Sequence, residues 1–418
     1  MANLEGLSPI DSSFLSTGCR NGPAVIILEP VSVTPEGREH PKQLCVHLSE
    51  SVAELKKIVN VIHAEKRLAC LHLNHAGAAA NPMVTGTAPK APSAVTCPTS
   101  EKTSQPLTGE EIDTIITGYT SAARKAKEAG FDLLEIQAGH GYLVSQFLNR
   151  KINNRSDRFG EDRLAFAEEV FAAVKEGASD IPLIVRVSGS EMSPEFGIDR
   201  EDLLPFIQMA EKMRYCCHPR GNGKLLFQST LVFSPLQSAG KTQMDALAWI
   251  RKQTNHPVIA AGRMGRINRV ETILQENLAD LVALGRPLIT DPDLIEKWQN
   301  RQYDEVNYCG YCLQGCLRGL KNGEPLGCNL KPGDRKARPG TDAKSSRILV
   351  ARRRSGRHER GDLPHSTRSS GNRCVKGTPP RRTICTRLAG ARQNGNIGKG
   401  CMRRIIAPSR RRIGHHRT

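Results

Sequence analysis

Short continuous apolar runs alternate along this chain with longer stretches in which apolar residues recur every three or four positions. The runs are AVIILE at 24–29, LACLHLN at 68–74, FDLLEIQ at 131–137, PLIVRVS at 182–188, PVIAAG at 257–262 and ADLVALG at 279–285. Runs of this length, rich in Val, Ile and Leu, predict parallel strands covered on both faces. The periodic stretches at 51–65, 108–130, 163–177 and 199–212 predict helices between them. Thr108 and Glu111 have the spacing of a capping box, and Gly130 stands where a helix stop belongs. Strand–helix alternation over about 280 residues predicts an α/β fold, a (β/α)8 TIM barrel, with a doubly wound open sheet as the alternative.

Polar residues gather just past the ends of these runs. His72, Asn74 and His75 follow the second, Gln137, His140 and Tyr142 the third, and Arg186 and Ser188 the fourth. Gly262-Arg263 and Gly285-Arg286 follow the last two. Barrels of this class bind ligands at that face, with phosphate commonly held by the loops after the last two strands. Two Gly-Arg steps at equivalent places suit a phosphate, since Gly allows close backbone approach and Arg supplies a charged donor fork.

Charge changes the picture only in one region. The net charge of +18 divides into +21 for residues 331–418, with 25 Lys and Arg against 4 Asp and Glu, and −3 for residues 1–330. The body is therefore near neutral, as suits a small-molecule enzyme, and the basic excess belongs to the tail. The start, MANLEGLSPIDSS, has neither a basic lead nor an apolar run, and no apolar stretch approaches bilayer length. The expectation is a cytoplasmic chain without membrane or specific nucleic-acid partners, acting on a small-molecule substrate. In a reducing compartment, clustered cysteines point to a metal centre ahead of disulfides.

Four of the 13 cysteines fall in such a cluster, spaced Cys309-x2-Cys312-x3-Cys316-x11-Cys328. Four thiolates on a flexible loop fit a [4Fe–4S] cluster. Tetrahedral zinc is the alternative, although zinc sites more often show two x2 pairs and only one is present. With zinc and the basic tail together, the rival function is a nucleic-acid-binding protein. That tail carries no Phe, Tyr or Trp for base stacking and no recognisable module.

The stretches LNHAGAAANP, APSAV, AGFDLLEIQAGHGYLVSQFLNRKINNRSDRFGEDR, VRVSGSE, PVIAAGRM and ADLVALGRPLITDPDL, with the cysteine cluster, span roughly residues 20–330. Together they resemble the Old Yellow Enzyme family of NADH:flavin oxidoreductases, in its iron–sulfur branch with 2,4-dienoyl-CoA reductase and trimethylamine dehydrogenase. The resemblance implies FMN at the barrel mouth, with Arg186 near the flavin pyrimidine edge and Gly262, Arg263, Gly285 and Arg286 at its phosphate. It implies His140 and Tyr142 as substrate-facing residues, Tyr142 acting as general acid, and Cys309, Cys312, Cys316 and Cys328 as cluster ligands. Where the family pattern has Gln and Arg, this chain has His72 and Ala78; His72 can still give or accept a hydrogen bond toward the flavin. The implied activity is reduction of an activated C=C bond with electrons from NAD(P)H relayed through the cluster. In the resembled branch an FAD- and NAD(P)H-binding region follows.

The expected organisation is therefore an FMN-binding barrel over 1–300, a cluster segment over 301–330 and a basic tail of low order over 331–418. With codons chosen freely and the frame moved by one base, residues 351–368 can spell GGGPAGMNAAIFLTRRG, a Gly-rich dinucleotide fingerprint. Similar shifts restore family-like sequence at 381–394, 214–233 and 12–21. The expectation is a tail that is an out-of-frame remnant of the FAD/NAD(P)-binding domain, and a barrel with its first and sixth strands defective.

Overall fold

The computed structural model describes residues 22–98, 100–191, 193–212, 226–231, 239–321 and 326–331. The basic tail, the segment 12–21 and most of 214–233 lie outside the described residues. Seven parallel strands form one sheet in chain order: β1 (Val25–Ser32), β2 (Leu68–Asn74), β3 (Leu133–Gln137), β4 (Leu183–Ser190), β5 (Leu226–Leu231), β6 (Val258–Ala261) and β7 (Leu281–Ala283). All six apolar runs become strands. The periodic stretches become the helices Ser51–Ala64, Gly109–Ala129, Ala165–Gly177 and Arg200–Lys212. Two more, Ala239–Gln253 and Ile267–Gln275, follow β5 and β6.

Alternation along each strand decides which side chains face inward. Val25 and Ile27 of β1, Cys70 of β2, Leu133 of β3, Ile184 of β4, Ile259 of β6, and Leu281 and Ala283 of β7 pack into one cluster. A cluster shared by the first and last strands requires the sheet to curl round on itself. The intervening residues, among them Ala69, Leu71, Leu73, Leu134, Ile136, Val185 and Val187, pack under the helices. The result is a TIM-barrel-like fold with apolar layers inside and outside the ring.

The ring is incomplete where the first strand was expected: among the described residues none lies between β1 and β7. The chain entering β1 instead meets the helix Leu294–Gln299, for a Cβ on Gly22 would sit 2.5 Å from Ile295 Cβ. The sixth position is occupied. β5 pairs with β4 from Leu226 to Leu231 and with β6 from Phe227 to Ser229. It is formed by LFQSTL, downstream of the polar stretch around Pro219 that breaks the apolar pattern.

The capping box forms as expected. Thr108 Oγ1 accepts from the Glu111 N–H at 3.2 Å, and Glu111 Oε2 accepts from the Thr108 N–H at 2.9 Å. Gly130 closes that helix in the left-handed region at φ +90°.

Candidate active site

Above the apolar floor, the inward parity of β2, β3 and β4 stacks charged and polar groups. His72 lies opposite Glu135, and Gln137 opposite Arg186, in the strand register. Arg186 Nε donates to Glu135 Oε1 at 3.1 Å, and Glu135 Oε2 lies 3.4 Å from His72 Nδ1. His72 Nε2 pairs with Gln137 Oε1 at 2.8 Å, and Gln137 Nε2 donates to the Gly139 carbonyl at 2.8 Å. Glu135 is fully buried. A buried charge requires a partner, and Arg186 supplies it. Burial pushes the Glu135 carboxyl up, and the neighbouring guanidinium opposes that shift. Burial, with Arg186 nearby, holds His72 well below the usual imidazole range and therefore neutral at pH 7.

The loop after β3 carries the two residues expected to face substrate. Gly139 is required there, because a Cβ would sit 2.6 Å from the Ser188 backbone nitrogen. That closeness lets the His140 N–H reach Ser188 Oγ at 2.8 Å, with His140 itself in the left-handed region at φ +63°. Glu191 ties the loop down, accepting from the Gly141 and Ile198 N–H groups at 3.0 and 3.1 Å. Burial and then Arg186 lower the His140 imidazole to about 3, so it is neutral across the working range. The His140 and Tyr142 ring centroids are 6.2 Å apart.

Tyr142 donates its hydroxyl to Glu39 Oε2 at 2.7 Å. Burial, reinforced by that carboxylate, pushes the phenol well above its ordinary value. Nothing in the sequence pattern singled out Glu39, which belongs to a polar loop after β1 and lies 103 residues from Tyr142 in the chain. The two residues border a cavity of about 660 Å³, with Ala80, Pro82, Met83 and Pro89 on its apolar side and Glu29 and His40 near Glu39. That volume suits a small organic substrate. At the end of β2, Asn74 is buried with neither side-chain amide atom hydrogen-bonded. Ala78, at the family's Arg position, is buried, and its N–H donates to Gln146 Oε1 at 3.1 Å.

The two Gly-Arg steps come together at the far side of the mouth. Gly262 and Arg263 turn the chain after β6 with φ of +92° and +53°. Gly285 precedes the short helix Arg286–Thr290, and a Cβ placed on it would meet nothing within 4 Å. The guanidinium carbons of Arg263 and Arg286 each lie 5.3 Å from the centroid of the Tyr311 ring. Tyr311 belongs to the cysteine segment, and its hydroxyl accepts from the Gly265 N–H at 3.1 Å.

All four cysteines of that segment line one pocket, together with Arg286, Thr290 and Tyr311. The Tyr311 and Leu330 N–H groups approach Cys309 Sγ and Cys328 Sγ, each at 3.4 Å, and Thr290 Oγ1 lies 3.4 Å from Cys328 Sγ. Among the described residues, no three His, Cys, Asp or Glu side chains converge tightly enough to hold a single ion. The other described cysteines, Cys45, Cys70 and Cys97, are buried singly. No helix among the described residues is long and apolar enough to cross a membrane.

A barrel of parallel strands with polar and basic residues past the strand ends has the layout of the α/β barrel enzymes, which place their active sites at that face. The chain belongs to the NADH:flavin oxidoreductase / NADH oxidase family, whose pattern it matches over residues 8–305. It is 34% identical over 279 residues to a metal reductase of Desulforamulus reducens, covering 66% of this chain and 41% of that one. It is 31% identical over 327 residues to an NADH oxidase of Thermoanaerobacter brockii, covering 75% of this chain and 49% of that one. The second alignment is too long to fit within residues 8–305 and runs past Cys309. A solved 2-naphthoyl-CoA reductase complex superposes with TM-score 0.69 at 22% identity, over 77% of this chain and 51% of that one. The chain thus spans about half the length of these relatives or less.

The donor set fits the FMN of this family. Arg263 and Arg286 converge on the Tyr311 ring, Gly285 next to Arg286 leaves open space, Arg186 supplies a fixed cation, and Asn74 has an unmatched buried amide. The four thiols that line one pocket have the number and chemistry of the ligands a four-iron cube takes.

Proposed function

We propose that this chain is an FMN-dependent NAD(P)H oxidoreductase that reduces an activated C=C bond, as in an enone, enoate or dienoyl thioester, with electrons relayed through a [4Fe–4S] cluster. Bound FMN would supply hydride transfer and the cluster a one-electron relay. FAD and the nicotinamide would belong to the region that follows the cluster in the resembled branch. The observation that carries this reading is the grouping, past the strand ends, of a half-buried, protonated tyrosine near a carboxylate-anchored arginine, with a paired-arginine corner adjoining four thiols.

Each side chain has a distinct task. Arg263 and Arg286 would hold the cofactor phosphate through charge and fork geometry. Arg186, kept in place by Glu135, would present its cation to the pyrimidine edge. Neutral His140 is suited to donate a hydrogen bond to the substrate carbonyl. Tyr142 would give the proton on its hydroxyl oxygen to the carbon α to that carbonyl. The apolar wall around Ala80 and Pro82 would keep water from the reacting carbons.

The test is single turnover. Anaerobic protein reconstituted with FMN, iron and sulfide, then reduced chemically, is mixed with a cyclic enone and followed by flavin absorbance. Reoxidation that Tyr142→Phe slows by about 10²–10⁴-fold supports the reading. Reoxidation by the enone at the same rate in both proteins overturns it.

A further inference from the structure

The cysteine segment contributes more than sulfur to this site. Tyr311 lies between Cys309 and Cys312, and its ring stands within cation–π range of both Arg263 and Arg286, each at 5.3 Å. Three residues earlier, Tyr308 receives Arg266 at 3.8 Å from its ring centroid. The Tyr311 hydroxyl is anchored in turn, accepting from the Gly265 N–H, and a Cβ on Gly265 would sit 2.9 Å from that oxygen. The two arginines come from different loops, after β6 and after β7, and both lie within cation–π range of Tyr311.

Geometry of this kind constrains long side chains that solvent would otherwise leave mobile. An arginine confers affinity on a phosphate in proportion to how little freedom it must lose on binding. We infer that Tyr311 is a positioning residue that sets Arg263 and Arg286 for the FMN phosphate, so that cluster assembly and phosphate binding are thermodynamically linked. The inference rests on the proposed cofactors. A cluster bound through Cys309 and Cys312 fixes the two-residue span between them, and with it the ring on which both arginines rest. By reciprocity, FMN favours cluster assembly by the same factor as the cluster favours FMN.

Riboflavin, which lacks the phosphate, gives the discriminating measurement. FMN and riboflavin affinities are measured by quenching of flavin fluorescence in cluster-loaded and cluster-free full-length chain, for the wild type, Tyr311→Phe and Tyr311→Leu. Loss of two cation–π contacts predicts a roughly five- to thirtyfold weaker FMN affinity in Tyr311→Leu. Riboflavin affinity stays unchanged, and Tyr311→Phe, which keeps the ring, retains most FMN affinity. Cluster-free wild type should show a similar loss for FMN alone, and Tyr311→Leu should abolish the difference between loaded and cluster-free protein. Equal FMN affinity in wild type and Tyr311→Leu overturns the inference while leaving the cofactor assignment standing. Equal losses for FMN and riboflavin also overturn it, as general damage to the fold. Wild type that binds FMN no better than riboflavin overturns the phosphate assignment itself.

Discussion

Glu135→Ala should destabilise the fold by about 3 kcal/mol, because it strands a guanidinium inside the barrel. Glu135 is fully buried and the Arg186 side chain is 18% exposed, with Nε and Oε1 3.1 Å apart. At that separation and an effective dielectric of about 20, the attraction is about 5 kcal/mol, part of it offset by desolvation of both ions. Removing one partner of a buried pair costs about 3–5 kcal/mol, and the residual exposure of Arg186 places this site at the low end. That is a large share of the roughly 5–15 kcal/mol that stabilises a typical domain. Glu135→Gln keeps an acceptor and drops the charge, so its loss should be smaller, about 1–2 kcal/mol. In Glu135→Leu/Arg186→Leu both charges are gone, and the double variant should be more stable than the sum of the two single losses by more than about 1 kcal/mol. The assay is urea unfolding at pH 7, followed by tryptophan fluorescence, to which the core residue Trp298, 1% exposed, contributes with Trp249. A Glu135→Ala midpoint equal to wild type, or a strictly additive double variant, would refute an ion pair at the heart of the site.

Glu39→Gln removes the carboxylate that, with burial, raises the Tyr142 phenol, so one phenol in an alkaline absorbance titration should ionise at lower pH than in wild type; an unmoved titration would deny the contact. Acid should weaken the fold. His140 and His40 have folded values lowered from 6.5 to about 3 and about 4, and Glu36 is lowered from 4.5 to about 2. In each case the unfolded chain binds the proton more readily, so stability is full above pH 6.5 and declines as pH falls toward 3. The urea midpoint measured across that window should drop, and His140→Asn should flatten the slope; a pH-independent midpoint would contradict the burial that lowers the two imidazoles and the His75 hydrogen bond that lowers Glu36 against its own burial. Thr108→Ala should cost about 1 kcal/mol through loss of the capping box, whereas Thr114→Ala, on the exposed face of the same helix, should cost under about 0.5.

The barrel was legible because burial on both faces leaves unbroken apolar runs, and helix amphipathicity leaves a three-to-four-residue beat. β5 was not, since Pro219, Gly221 and Gly223 interrupt the pattern just ahead of it and leave only a short apolar stretch. Arg186, His140 and Tyr142 were found as polar residues at strand ends. Glu135 escaped because it sits within an apolar run, although its parity with His72 and Arg186 was there to be counted. Glu39 had no sequence signal, being one polar residue in a polar loop whose partner is set by tertiary approach alone. Tyr311 carries no sequence signal of its own, because a spacer between two clustered cysteines can be almost any residue and its arginine partners come from loops far away in the chain.

The central claim is that this chain holds FMN at a paired-arginine corner beside a four-iron cluster. Its most direct test is anaerobic reconstitution of the full chain with FMN, iron and sulfide in the presence of competing zinc, followed by desalting and analysis of what is retained. One flavin with about four iron and four sulfide per chain, and a visible spectrum of flavin bands over a broad shoulder, is the predicted result. Colourless protein that retains stoichiometric zinc, with neither flavin nor sulfide, would contradict it.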